Sequence, residues 1–187
     1  ELEMAMESLI RQLEEAGIAD DTVIVISPDH YPYALERSAT WGNAENYLTE
    51  LYGVTEMDRF TRDSNALIIW SGCLEDKNLK VETPVYSLDI LPTLSNLFGL
   101  NYDSRLLVGR DVFSDTEPLV LWPEYSWKTD KGTYDSGSRT FTPAEGVEVD
   151  DSYVDRIKAI VSNKISYSRE VQNLKYFQVL SDFLNGK

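Results

Sequence analysis

Cysteine is almost missing from this chain of 187 residues: Cys73 stands alone, so no internal disulfide can brace the fold and no cysteine-built zinc site can form. Following the apolar run 66–72, Cys73 reads as a small, partly buried thiol rather than a nucleophile. Histidine is equally scarce, with His30 the only one, and Gly-x-Ser-x-Gly does not occur, which excludes a classical hydrolase triad. Neither Gly-x-Gly-x-x-Gly nor Gly-x-x-x-x-Gly-Lys-Ser/Thr is present, so nucleotide binding by those routes is excluded too. Basic residues are in deficit, 17 Lys and Arg against 32 Asp and Glu, for a net charge of −15. Nucleic acid is therefore excluded as a partner, because phosphate binding needs a cationic footprint. An anionic substrate would have to be held by a bound cation or a local cluster. No apolar run is long enough to span a bilayer, and no basic n-region leads an apolar h-region. The chain opens on Glu1-Leu2-Glu3-Met4, already inside a helical pattern, and reads as a piece of a larger protein.

What is present reads as α/β. Leu2, Met6, Leu9, Ile10 and Leu13 recur at helical spacing and Gly17 supplies a stop, so 1–16 is predicted to be an amphipathic helix. Residues 22–27, β-branched and lacking polar alternation, predict a buried strand covered on both faces, in a sheet expected to be parallel at that point. A second buried strand is predicted at 66–70. Between them, 31–62 reads as an insertion that could line a site, with a short helix over 44–52 ending at Gly53. Arg37, Arg59 and Arg62 offer charge to an anionic group, but the plainer reading is solvated pairing with Glu36, Asp58 and Asp63. Ser87 or Asp89 can cap a helix that tolerates Pro92 in its first turn and stops at Gly99. Beyond the loop Gly109-Arg110-Asp111, a small antiparallel meander is expected: strand character over 118–122 and around Tyr125 to Lys128, a hairpin turn at Asp130-Lys131-Gly132, and short strands near 132–134 and 139–142. Trp122, Tyr125, Trp127 and Tyr134 read as packing aromatics rather than a sugar platform. Two helical patterns follow, one through Tyr153, Ile157, Ile160 and Val161, the other through Val171, Leu174, Phe177 and Leu180. The expected division is 1–115, the α/β part, and 116–187, a small antiparallel β subdomain with C-terminal helices.

Asp29 and His30, at the carboxyl end of the first strand, are the candidate metal ligands, since ligands in α/β sheets gather at strand C-termini. A hard oxygen beside an imidazole nitrogen suits Mn, Mg or Zn. The plainer alternative is a turn carboxylate beside an exposed imidazole. Two ligands are too few to hold and activate a metal by themselves.

Three stretches in series, Val23-Ile24-Val25-Ile26-Ser27-Pro28-Asp29-His30-Tyr31, then Ser87-Leu88-Asp89-Ile90-Leu91-Pro92-Thr93-Leu94, then Val108-Gly109-Arg110-Asp111-Val112-Phe113, resemble the carboxyl-terminal part of the sulfatase and alkaline-phosphatase superfamily, most closely its lipoteichoic acid synthase-like branch. The resemblance implies an alkaline-phosphatase-like sheet layered with helices, in a membrane-anchored bacterial enzyme with an extracellular catalytic domain. It implies transfer of phosphoglycerol from a lipid to a glycerol-phosphate polymer by a threonine nucleophile. A divalent cation, usually manganese, with magnesium and zinc as options, would be held in part by a late Asp-His pair. That pair maps onto Asp29 and His30; the nucleophile and the other ligands would lie upstream, so the chain alone is expected to be inactive. Cys73-Leu74-Glu75-Asp76-Lys77 does not match the maturation motif of sulfatases. A sulfatase or phosphatase-type hydrolase of the same superfamily, and a non-catalytic binding module that keeps the fold, remain alternatives.

Overall fold

The computed structural model describes residues 1–31, 44–77 and 79–186. The chain is mixed α/β and divides into two units, Glu1–Lys80 and Val81–Lys187.

In the first unit, helix α1 (Leu2–Glu15) ends where Gly17 turns left-handed at φ +70°, and Ile18 N–H reaches back to the Leu13 carbonyl at 3.0 Å. That closure uses orphan carbonyls of the last turn and sends the chain towards strand β1 (Ile24–Ile26). Helix α2 (Ala44–Tyr52) closes the same way at Gly53, with Val54 N–H on the Thr49 carbonyl at 3.0 Å. The short helix α3 (Arg59–Arg62) begins at Asp58, whose carboxylate accepts from Phe60 N–H at 2.7 Å and Thr61 N–H at 3.2 Å. Strand β2 (Ile68–Trp70) pairs with β1 in the register Ile24 to Trp70, Val25 to Ile69 and Ile26 to Ile68. After β2 the chain docks on the turn before β1: Gly72 N–H donates to the Ala19 carbonyl at 3.1 Å, and a Cβ on Gly72 would stand 2.9 Å from the Ala19 carbonyl carbon.

The pairing of β1 and β2 is antiparallel, which corrects the expected parallel arrangement. A run of β-branched residues reports burial and carries no information about the direction of its partner. Full coverage is not found either: β1 is half-buried throughout and Ile68 of β2 is 52% exposed. On α1, Met6, Ile10 and Leu13 are half-buried, whereas Leu2 and Met4 lie open.

The second unit begins with a 3-10 turn, Ser87–Asp89, that runs directly into helix α4 (Ile90–Leu97). A four-stranded antiparallel sheet follows, in the order β3 (Val120–Leu121), β4 (Trp127–Thr129), β5 (Gly132–Asp135), β6 (Thr140–Pro143). Thr129 pairs with Gly132, so Asp130-Lys131 forms the hairpin connection that the sequence predicts. Trp127 is fully buried, stacked on Tyr134 at 5.5 Å between centroids and meeting Tyr153 edge-on at 6.1 Å. Ile157 and Val161 of helix α5 (Tyr153–Asn173) complete this core, with Leu119, Leu121 and Phe141 packed around it. Of the four aromatics read as packing, Trp127 and Tyr134 are core, Trp122 is half-buried and Tyr125 is exposed.

The break between the last two helices also differs from expectation. Val171 belongs to α5, and the chain turns at Lys175, left-handed at φ 48°, before helix α6 (Tyr176–Leu184). Apolar spacing continues smoothly through 171–180, so periodicity alone could not show where the backbone reverses.

Candidate functional site

The bend that follows β1 carries both candidate ligands into the open: the side chain of Asp29 is 87% exposed and that of His30 51%. His30 Nδ1 lies 2.8 Å from the Tyr31 carbonyl oxygen. A carbonyl can only accept, so Nδ1 carries the proton and Nε2 faces the Asp29 side. Nε2 stands 3.4 Å from Asp29 Oδ2. The nitrogen and the carboxylate are close enough to reach one cation. Two ligands bound at about 2.1 Å to one metal are themselves about 3.4 Å apart at a tetrahedral angle. Pair spacing, donor chemistry and an imidazole oriented by a backbone carbonyl thus fit half of a divalent-metal site. Among the described residues no group of three or more His, Cys, Asp and Glu side chains converges.

An open depression of about 550 Å³ adjoins His30, lined by it and by Leu51, Tyr52, Ser64 and Asn65. Its wall is tied together by Tyr52, whose hydroxyl lies 3.2 Å from the Arg62 carbonyl and 3.1 Å from that of Ser64. The end of α3 is thereby fixed against α2. Arg62 pairs with Asp63, Nε to Oδ1, at 2.8 Å, as expected from sequence, but the pair is largely buried rather than solvated. The Arg62 guanidinium also lies over the Tyr31 ring, 4.8 Å from its centroid. The sequence reading placed Arg62 on a solvated face and gave Tyr31 to a loop, so this contact went unseen. An aromatic directly after Asp-His was the available signal. Glu36 and Arg37 lie outside the described residues.

The other two stretches of the family resemblance meet inside the second unit, where they form a clamp with no open chemistry. Asp89 is 1% exposed and accepts from Arg110 N–H at 2.8 Å and Tyr86 N–H at 3.1 Å. Thr93 Oγ1 donates to the Asp89 carbonyl at 2.6 Å and accepts from Val112 N–H at 3.1 Å. Asn96 Nδ2 donates to Asp111 Oδ2 at 2.8 Å. Gly109 is required for contact: a Cβ there would overlap the Leu88 carbonyl and reach 2.8 Å from Asp89 N. Lys164 Nζ donates to the Val108 carbonyl at 2.6 Å and, with Asp89, Arg110 and Glu117, borders a cavity of about 170 Å³. Burial raises the Asp89 pKa above the usual carboxylate value, against the opposing pull of the Arg110 and Tyr86 N–H groups. Burial lowers that of Lys164. Burial, and secondarily the Asp89 charge, push the Tyr86 hydroxyl well up.

Comparison with known proteins gives the same direction as the motifs. No family model matches the chain. It is similar to lipoteichoic acid synthase 2 of Bacillus subtilis, 24% identical over 178 residues that make up 92% of this chain and 26% of that protein. It is also similar to lipoteichoic acid synthase of Staphylococcus saprophyticus, 27% identical over 125 residues, 63% of this chain and 18% of that protein. The chain thus spans about a quarter of the length of the first relative and less of the second. The similarity supports the lipoteichoic acid synthase-like branch to which the three motifs point.

Proposed function

We propose that this chain is the carboxyl-terminal part of an extracellular, metal-dependent phosphoglycerol transferase of the lipoteichoic acid synthase type, with Asp29 and His30 supplying part of the metal's coordination shell. The observation that carries the reading is the pair itself: a carboxylate oxygen and a carbonyl-oriented imidazole nitrogen, 3.4 Å apart at a strand end. A divalent cation bound there, manganese by preference and otherwise magnesium or zinc, would supply Lewis acidity towards a phosphoryl group. Asp29 contributes a charged oxygen. His30 contributes a neutral nitrogen, kept in the right tautomer by Tyr31. On a chain of net charge −15, a local cation also answers how an anionic substrate is tolerated.

The remaining ligands and the nucleophile belong to the upstream half of the same catalytic domain, so this chain is inactive alone. The alkaline-phosphatase-like layered domain that this assignment carries with it rests on the similarity to lipoteichoic acid synthases. The donor is a phosphoglycerol-bearing lipid and the acceptor a glycerol-phosphate polymer at the outer face of the cell membrane. No helix among the described residues is long and apolar enough to cross a membrane.

The test is Asp29→Ala in the full-length protein, assayed for phosphoglycerol transfer and bound metal. Activity should fall at least about a thousandfold, with metal content lost. Near-normal turnover and metal content would sink the proposal.

A further inference from the structure

The contact between Arg62 and Tyr31 lies at the rim of the first unit, with Tyr31 36% exposed directly after the Asp29-His30 bend. Tyr31 provides the carbonyl that fixes the proton of His30 on Nδ1, so whatever holds Tyr31 also holds the imidazole. The guanidinium that covers Tyr31 is itself preset. Asp63 engages its Nε at 2.8 Å, and the Tyr52 hydroxyl grips the Arg62 and Ser64 carbonyls on either side. The Asp63 carboxylate also balances the charge of Arg62, which reduces repulsion of a cation bound at His30. A planar guanidinium suits stacking on an aromatic face better than an ammonium does.

We propose that Arg62 is a positioning residue for His30: through the Tyr31 ring it holds the Tyr31 carbonyl against Nδ1, so that Nε2 is presented to metal together with Asp29. This rests on the reading of Asp29 and His30 as metal ligands, and adds to it a determinant of metal affinity located at the far end of the intervening segment. The arrangement is the one expected of an outer shell around a metal-binding histidine, where a group that touches neither metal nor substrate decides how well the ligand is aimed.

The experiment uses the full-length protein and titrates Mn²⁺ calorimetrically into the wild type, Asp29→Ala, Arg62→Ala, Tyr31→Leu, Tyr31→Phe and the double variant Arg62→Ala/Tyr31→Leu. Arg62→Ala and Tyr31→Leu should each raise the Kd about tenfold. Tyr31→Phe keeps the ring and should stay within about twofold. The double variant should also lose about tenfold rather than about a hundredfold, because both changes break one linkage. Nitrogen-15 shifts of His30 in the metal-free protein give a second readout: Nδ1–H in the wild type and Tyr31→Phe, and a mixture of tautomers in Tyr31→Leu. That readout decides the matter if Arg62→Ala does not fold. A wild-type-like Kd in Arg62→Ala, or losses that multiply in the double variant, or an unchanged tautomer in Tyr31→Leu, would overturn the proposal even if Asp29→Ala abolishes binding. If Asp29→Ala binds Mn²⁺ as the wild type does, or the wild type binds none, the metal reading itself falls, and this inference with it.

Discussion

Two aspartates from one family signature behave in opposite ways. Asp29, in the first unit, is exposed and belongs to a pair whose second member turns a nitrogen towards it. Asp89, in the second unit, is buried, with one backbone N–H on each carboxylate oxygen. Both types of residue generate motifs, for different reasons. Asp89, Thr93, Gly109 and Asp111 each satisfy or make room for another group: their hydrogen bonds join α4 to the 109–112 loop, and Gly109 lets the backbones touch. Asp29 is not enclosed in this way: its side chain is 87% exposed beside His30. The lesson is that a motif residue whose polar atoms are all spent inside the fold is a joint, and one that leaves them aimed outward is a candidate for chemistry.

Substitutions that break the joint should therefore cost folding, and those in the pair should not. The largest stability effect is expected from Gly109→Ala. Its Cβ would overlap backbone atoms of Leu88, which can yield only by expelling the loop and both hydrogen bonds it makes to Asp89 and Thr93. A loss of about 4 kcal/mol is expected from overpacking plus the broken joint. Asp89→Ala comes next, at about 3 kcal/mol, since it strands two N–H donors while relieving the burial of a carboxylate. Asp29→Ala, measured in the same urea titrations, should change stability by no more than about 0.5 kcal/mol. Equal losses at Asp29 and Asp89 would erase the distinction between joint and ligand.

The second unit was the more legible from sequence because its signals are local. Gly99 stops α4 at φ +62°, the Asp130-Lys131 hairpin lies between alternating strands, and Trp127 and Tyr134 sit at inward positions of adjacent strands. The first unit shows the limit. Ile24, Val25 and Ile26 announced a strand, but its partner's direction depends on how the chain returns through α2 and α3, which no hydrophobic pattern encodes. Asp29 and His30 were visible as candidate ligands because residue type and strand-end placement suffice for that. Arg62 was not, because its role depends on a contact across a long stretch of sequence with a ring that looks like loop. The second unit also concealed something: Asp89 reads as a helix cap in sequence, and in the fold it reaches both Tyr86 just before it and Arg110 well beyond α4.

The smallest expected effect probes the joint from the Tyr86 side chain. The Tyr86 hydroxyl is buried with no hydrogen-bond partner among the described residues, next to the Asp89 charge. Tyr86→Phe removes that unsatisfied group and should raise stability near neutral pH by about 1 kcal/mol. The same change should alter the response to alkali. Burial holds the folded-state pKa of Tyr86 above its ordinary value near 10, so the unfolded chain gives up this proton first. The stability linked to Tyr86 is then complete below that ordinary value and falls as pH rises past it. Lys164, with its pKa lowered by burial, contributes with the opposite sign, since the unfolded chain holds that proton more tightly. Tyr153, also raised chiefly by burial, contributes with the same sign as Tyr86. Both remain in wild type and variant, so they largely cancel in the difference. Between pH 10 and 11 the wild type should lose about 1 kcal/mol more than Tyr86→Phe, read from urea midpoints at each pH. Parallel pH profiles would mean that the hydroxyl reaches water or a partner in solution, and that the joint is looser than its other hydrogen bonds imply.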